Sequence, residues 1–319
     1  MARALAGLRK YQEAEREPPL PPMPAVAEIL GATLRDYGGS GMPVLFIPSL
    51  INPPSILDLS EDKSLLRWLA RQGFRPLLLD WGSDVAARRG LSVAGHVEEI
   101  ALPLIRSLGE RVALVGYCLG GTMALAAAKP ADATGVLTIA APWDFLGFPP
   151  DSRDRIQALW TSSRPSVQAL GLLPMEVLQS AFWSLDPART VGKFETYAGL
   201  AAHAPGGRIF VTLEDWANDG APIGEAAARE MFEGFFRDNL PGSGQWLVDG
   251  AAADPATLAC PVLHIVSTTD RIVPEASAPW GGETLRLGQG HVGMVVGSRA
   301  AEFLWAPLAA WLSRIAANC

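Results

Sequence analysis

The sequence predicts an α/β fold, a mostly parallel sheet with helices on both faces and an inserted helical segment. Three observations predict it. From residue 43 onward, short and almost wholly apolar runs alternate with helical segments. Such runs are the strands of a parallel sheet buried on both faces. Between about 145 and 250 the alternation stops, and it resumes with the apolar run "CPVLHIVS" at 260–267. The inserted stretch is rich in tryptophan, proline and glycine and contains helix-like pieces such as "IGEAAAREMFEGFFRDNL" at 223–240.

Taken in order, residues 1–16 suggest an amphipathic helix, which "PPLPPMP" at 18–24 breaks to form a stiff connector. Strands are predicted at 43–48, 76–80, 111–116, 135–140, 261–267 and 283–287. Helices are predicted at 62–72, 93–108, 119–129 and 298–316. The organisation expected is therefore a helix and proline-rich connector at 1–24, the first part of the core at 25–144, a mostly helical cap at 145–250 and the second part of the core at 251–319.

Composition narrows the function. A chain of 319 residues with 49% hydrophobic content has enough apolar mass for one large packed core. The net charge of −7, without any lysine- or arginine-rich run, argues against a nucleic-acid partner. It still leaves room for a local basic pocket that binds a phosphorylated cofactor. No apolar run reaches the ~18 residues of a membrane span. The start, "MARALAGLRKYQEAEREPPL", has too short an apolar core for a secretory signal. The three cysteines, at 118, 260 and 319, have neither disulfide-framework nor metal-ligand spacing. A cytoplasmic protein with reduced thiols and no metal is expected.

The stretch "RVALVGYCLGGTMALAAA" at 111–128 carries the chemistry. It reads as an apolar strand, a sharp turn and an alanine-rich helix, the context of a nucleophile elbow in an α/β-hydrolase fold. The nucleophile position is Cys118, flanked two residues away by Gly116 and Gly120, which let strand and helix approach. The turn sets the sulfur at a helix N-terminus, whose dipole favours negative charge. It also aims the Leu119 N–H at a developing oxyanion. An isolated GxCxG would more often hold a small buried hydrophobe. The strand before it and the helix after it favour the nucleophile.

In this fold the acid and base follow the nucleophile in chain order. His291, in the glycine-rich loop "LGQGHVGMVVGS" between the last strand and the final helix, is the expected base. His264 lies within an apolar strand, His96 precedes the nucleophile, and His203 belongs to the cap, where a solvent position suits it better. Asp270, at the end of "PVLHIVSTTD", is the expected acid, orienting the imidazole. The second oxyanion donor is expected from the loop "IPSLINPPSILDL" at 47–59, from Leu50 or Ile51, with Ile51 preferred.

With these residues in place the chain resembles the polyhydroxyalkanoate synthases, in particular the short catalytic subunit of the two-subunit class. The resemblance is carried by "INPPSILDLSEDKSLLRWLARQGFRPLLLDWG" (51–82), "GYCLGGT" (116–122), "APWDF" (141–145), "LEDWANDGAPIGEAAAREMFEGFFRDN" (213–239), "CPVLHIVSTTDRIVPEASA" (260–278) and "GQGHVGM" (288–294). It implies Cys118 as acyl acceptor, Asp270 and His291 as its partners and a loop donor near Ile51. It further implies a hydroxyacyl-coenzyme A thioester as substrate, no permanently bound cofactor, and a polyester product. A second synthase subunit or a homodimer, and a place at the surface of polyester granules, are implied with it. One departure stands out: where the family commonly has histidine after the catalytic aspartate, this chain has Arg271. A cysteine-dependent hydrolase, either a thioesterase or a polyester depolymerase, is the alternative, because it would keep the same residues. A scaffolding relative without turnover is disfavoured by the intact Cys–Asp–His set.

Overall fold

The computed structural model describes residues 2–201 and 204–317. His203 and Cys319, considered above, lie outside the described residues. The sheet has eight strands: β1 (Ala25–Ile29), β2 (Ala32–Asp36), β3 (Pro43–Ile47), β4 (Arg75–Asp80), β5 (Ala113–Tyr117), β6 (Gly135–Ile139), β7 (Val262–Ser267) and β8 (Glu283–Leu287). Their spatial order is β1-β2-β4-β3-β5-β6-β7-β8. The pairs from β4 through β8 are all parallel, and β2 runs antiparallel to both β1 and β4. The predicted α/β class is the one observed.

Strand alternation explains the core. Leu45, Ile47, Leu77, Leu79 and Leu114 enter one buried cluster, with α3 (Val93–His96 and Leu102–Ser107, joined by a π-helical turn at Val97–Ala101) and α4 (Leu119–Ala128). Val44, Phe46, Leu78, Ala113 and Val115 point the other way. They meet α2 (Leu65–Arg71) and the C-terminal helix α10 (Ala306–Ala316, entered through a π-helical turn at Ala301–Trp305). Each of these valine, leucine, isoleucine and phenylalanine side chains stabilises the fold by roughly 1.5–3 kcal/mol on burial. A strand whose neighbours in sequence serve opposite layers must be apolar throughout, as "PVLFI" is.

The β1–β2 hairpin was not among the predicted strands. Its two-residue turn is Leu30-Gly31, both at positive φ (50° and 75°). Such turns normally announce themselves with Asn-Gly or Asp-Gly, and a leucine there gives no signal. β1 is also an edge strand with mostly exposed side chains, so it lacks an apolar run.

Between β6 and β7 the chain is mostly helical: α5 (Pro150–Leu170), α6 (Met175–Leu185), α7 (Pro187–Ala198), α8 (Pro205–Asn218) and α9 (Glu225–Arg229, continued as a π-helix over Glu230–Arg237). Pro150, Pro187 and Pro205, which make this stretch look irregular in sequence, sit at helix starts, where the missing N–H has no intrahelical acceptor to lose, whereas Pro165 lies inside α5. Aromatic packing joins the insertion to the core. Trp143 and Trp246 lie with ring centroids 6.0 Å apart, and Trp160 stacks on Phe232 at 5.1 Å. The indoles of Trp160 and Trp246 donate to Glu233 and Glu230, both at 2.9 Å. Among the described residues no helix is long and apolar enough to cross a membrane.

Candidate active site

Cys118 stands between β5 and α4 with φ 56° and ψ −130°, a left-handed conformation that a non-glycine residue holds only under constraint. Its N–H donates to Ile139 O at 2.9 Å, and its carbonyl accepts from Gly121 at 2.8 Å. The glycines around it are required by contact: a Cβ on Gly120 would lie 2.0 Å from Ile47 O, and one on Gly116 2.3 Å from Gly121 Cα. Thr122 Oγ1 donates to Pro142 O at 2.6 Å, fixing α4 to the loop after β6.

Three loops at the C-terminal edge of the sheet complete the arrangement. Asp270 follows β7, and its Oδ1 accepts the N–H groups of Ile272 (2.7 Å) and Val273 (3.1 Å). With one oxygen held by backbone, Oδ2 is aimed at His291, whose Nδ1–H donates to it at 2.6 Å. The two loops are stitched together by Ser267 Oγ donating to Gln289 O (2.6 Å) and Thr269 Oγ1 donating to Gly288 O (3.0 Å). Both His291 and Asp270 are buried. Burial alone would lower the His291 pKa, but the charge on Cys118, the hydrogen bonds to Asp270 and Cys118, and the charge on Asp270 together raise it to about 10. The geometry therefore favours an imidazolium beside sulfur.

The other described histidines are accounted for separately. His264 is fully buried between Thr138 Oγ1 (2.9 Å) and Trp280 O (3.2 Å). His96 donates through Nδ1 to Ser92 O at 2.7 Å. Burial lowers both to about 4, so both are neutral.

Leu119, the expected first oxyanion donor, is the first residue of α4, so its N–H has no intrahelical acceptor. Ile51, the other expected donor, lies in the loop after β3. It lines the same cleft, but its N–H donates to Ser49 Oγ at 3.1 Å, because the hydroxyl two residues earlier closes a local turn. Leu50 lines a neighbouring cavity on the far side of this loop.

Two features went unread in the sequence. Tyr117 packs its ring 5.0 Å from the His291 ring and donates its hydroxyl to His291 O at 3.3 Å. Complete burial, reinforced by the charges on Cys118 and Asp270, raises its pKa and keeps the phenol neutral. Its place next to Cys118 in the turn was the available signal. The second is the partner of Arg271, which ion-pairs with Asp186, the cap of α7. No local pattern links residues 85 positions apart.

Cys118, Asp270 and His291 all line one cleft of about 270 Å³, lined also by Phe182, Trp183 and Trp216 of the insertion. Cys260, by contrast, has a pKa raised chiefly by burial and stands before β7.

Comparison with known proteins agrees with this architecture. Residues 44–304 match the family described as "Alpha/beta hydrolase family". The chain is 28% identical over 85% of its length to a "Poly(3-hydroxyalkanoate) polymerase subunit PhaC" of Haloferax mediterranei, of which it spans 58%. It is 27% identical, again over 85% of its length, to the protein of that name from Allochromatium vinosum, spanning 81% of it. A malate-bound thermophilic esterase from Thermogutta terrifontis shares the fold with a TM-score of 0.54 at 18% identity, over 89% of this chain and 93% of the esterase. The sheet order, the turn at Cys118 and the match over residues 44–304 establish that the chain belongs to the alpha/beta hydrolase family.

Proposed function

We propose that the protein is a polyhydroxyalkanoate synthase-like acyltransferase, moving 3-hydroxyacyl groups from coenzyme A thioesters to a growing polyester. The observation that carries the reading is the cysteine at the strained turn, sharing a cleft with an imidazole whose far nitrogen is held by a buried carboxylate. The names of the relatives support a poly(3-hydroxyalkanoate) product. In the first half-reaction the Cys118 thiolate attacks the thioester carbonyl, and coenzyme A leaves as thiol with the proton from His291. One thioester is exchanged for another, so the acyl group remains activated. In the second half-reaction His291 takes the proton of an incoming 3-hydroxyl, whose oxygen attacks the acyl–Cys118 carbonyl and expels the Cys118 thiolate. Serine in place of Cys118 would form an oxygen ester and lose that activation.

The Leu119 N–H supports the tetrahedral oxyanion in each step. Asp270 holds the tautomer of His291 and offsets its charge. The helical insertion acts as a cap whose apolar side chains keep water from the acyl-enzyme. The test is incubation with 3-hydroxybutyryl-coenzyme A, alone and with an added partner subunit, since the relatives are named as subunits. Thiol release with insoluble polymer is expected, and Cys118→Ala should abolish both. Release of free 3-hydroxybutyrate without polymer under either condition would give the reaction to water and overturn the synthase reading.

A further inference from the structure

The cleft that holds Cys118 has a polar mouth on the insertion as well as an apolar wall. Three cations line it: Arg189, Lys193 and Arg271. Lys193 Nζ pairs with Glu214 at 2.7 Å and Arg271 pairs with Asp186. Arg189 differs from both. Its backbone N–H donates to Asp186 at 3.0 Å, but among the described residues its guanidinium has no carboxylate partner. On the preceding helix α6, Trp183 lines the same cleft and is 54% exposed. An aromatic face and an unpaired guanidinium thus flank the α6–α7 corner around Asp186.

That pair has a defined chemistry. An indole face stacks on a purine, and a guanidinium binds phosphate through two parallel hydrogen bonds. The chain carries a net charge of −7 and so repels a polyanion overall; a local unpaired cation is needed wherever one docks. We infer that Trp183 and Arg189 form a subsite for the adenine nucleotide end of the thioester, with Trp183 stacking on the base and Arg189 holding a phosphate. This rests on the coenzyme A thioester reading above and extends it to residues outside the Cys118–His291–Asp270 set.

The test compares two donors that differ only in the nucleotide end: 3-hydroxybutyryl-coenzyme A and the N-acetylcysteamine thioester of 3-hydroxybutyrate. Trp183→Ala and Arg189→Gln should each raise KM for the coenzyme A thioester about tenfold with kcat unchanged. Arg189→Gln should handle the truncated thioester as the wild type does, and Trp183→Phe should restore most of the affinity for the coenzyme A thioester lost in Trp183→Ala. Calorimetric titration with adenosine 3′,5′-bisphosphate should show binding to the wild type that is about tenfold weaker in both variants. Equal losses on both thioesters, or nucleotide binding unchanged in the variants, would overturn the inference. Should the wild type act on neither thioester, the acyltransfer reading falls, while the titration still decides the nucleotide subsite.

Discussion

Cys118 and His291 set each other's charge, and a single substitution exposes the coupling. The His291 pKa stands near 10 although burial pushes it down, because the Cys118 charge and the bonds to Asp270 and Cys118 push it up. Removing the sulfur in Cys118→Ala takes away the charge next to the ring and leaves burial opposed only by Asp270. The His291 titration midpoint, followed by NMR, should therefore fall clearly below the wild-type value. An unchanged midpoint would show that the two side chains are not coupled. The sign for stability follows from the raised pKa. The stability contributed by charged His291 is fully present below the ordinary value near 6.5 and is lost as pH rises through about 10. Asp270→Asn tests the third member. Its amide oxygen would keep the bonds from Ile272 and Val273, so the loop should stay folded by circular dichroism, while turnover should drop by roughly 10²–10⁴-fold as the imidazole loses its anchor. Wild-type turnover in that variant would remove Asp270 from the chemistry.

The elements around the site differ in how much of themselves they announce in sequence. The turn between β5 and α4 was fully legible, because its glycines answer to local contact. A methyl on Gly120 would meet the Ile47 and Pro48 backbone at 2.0–2.6 Å, and neither atom can swing aside as a flexible side chain would. Gly120→Ala should thus cost at least about 1–3 kcal/mol in urea unfolding, whereas Gly90→Ala, with open space around the new methyl, should be neutral or slightly stabilising. Similar midpoints for the two would mean that β3 and α4 are not in close contact. Strands β3 and β7 were legible because both their faces are buried, and His291 because it follows the last strand of that sheet. The β1–β2 hairpin was hidden by a leucine at positive φ, and the hydrogen bond from the Ile51 N–H to Ser49 Oγ gave no signal in the sequence. The Asp186–Arg271 pair was invisible for a different reason. It exists only once the insertion has folded back over the core.

At the scale of the whole molecule, the N-terminal helix α1 (Ala2–Gln12) straps the insertion, and its attachment is specific enough to break at one atom. Gly7 faces α7 so closely that a Cβ would lie 1.9 Å from Phe194 O. Around that contact Arg3 Nε donates to Glu195 O at 3.0 Å, Lys10 Nζ donates to Tyr197 O at 3.2 Å, and Tyr11 OH donates to Asp215 at 2.6 Å. Tyr11 also covers Phe194 and Phe210, with ring centroids at 6.0 and 6.5 Å, and Phe210 stacks on Tyr197 at 4.2 Å. The cluster joins α1, α7 and α8, and none of its four rings belongs to the two buried clusters of the sheet, which α8 reaches at its end through Trp216. Such a satellite opens locally at a free-energy cost below that of global unfolding. Gly7→Val should push α1 off α7 and raise amide exchange in α7 and α8 by about tenfold or more, a change of about 1.4 kcal/mol in the local opening equilibrium. Exchange in β3 and β5 should stay at the wild-type rate, because their protection comes from apolar layers that α1 does not touch. Uniform acceleration across the sheet would show that α1 belongs to the global folding unit, and no acceleration in α7 and α8 would show that the strap does not hold the insertion at all.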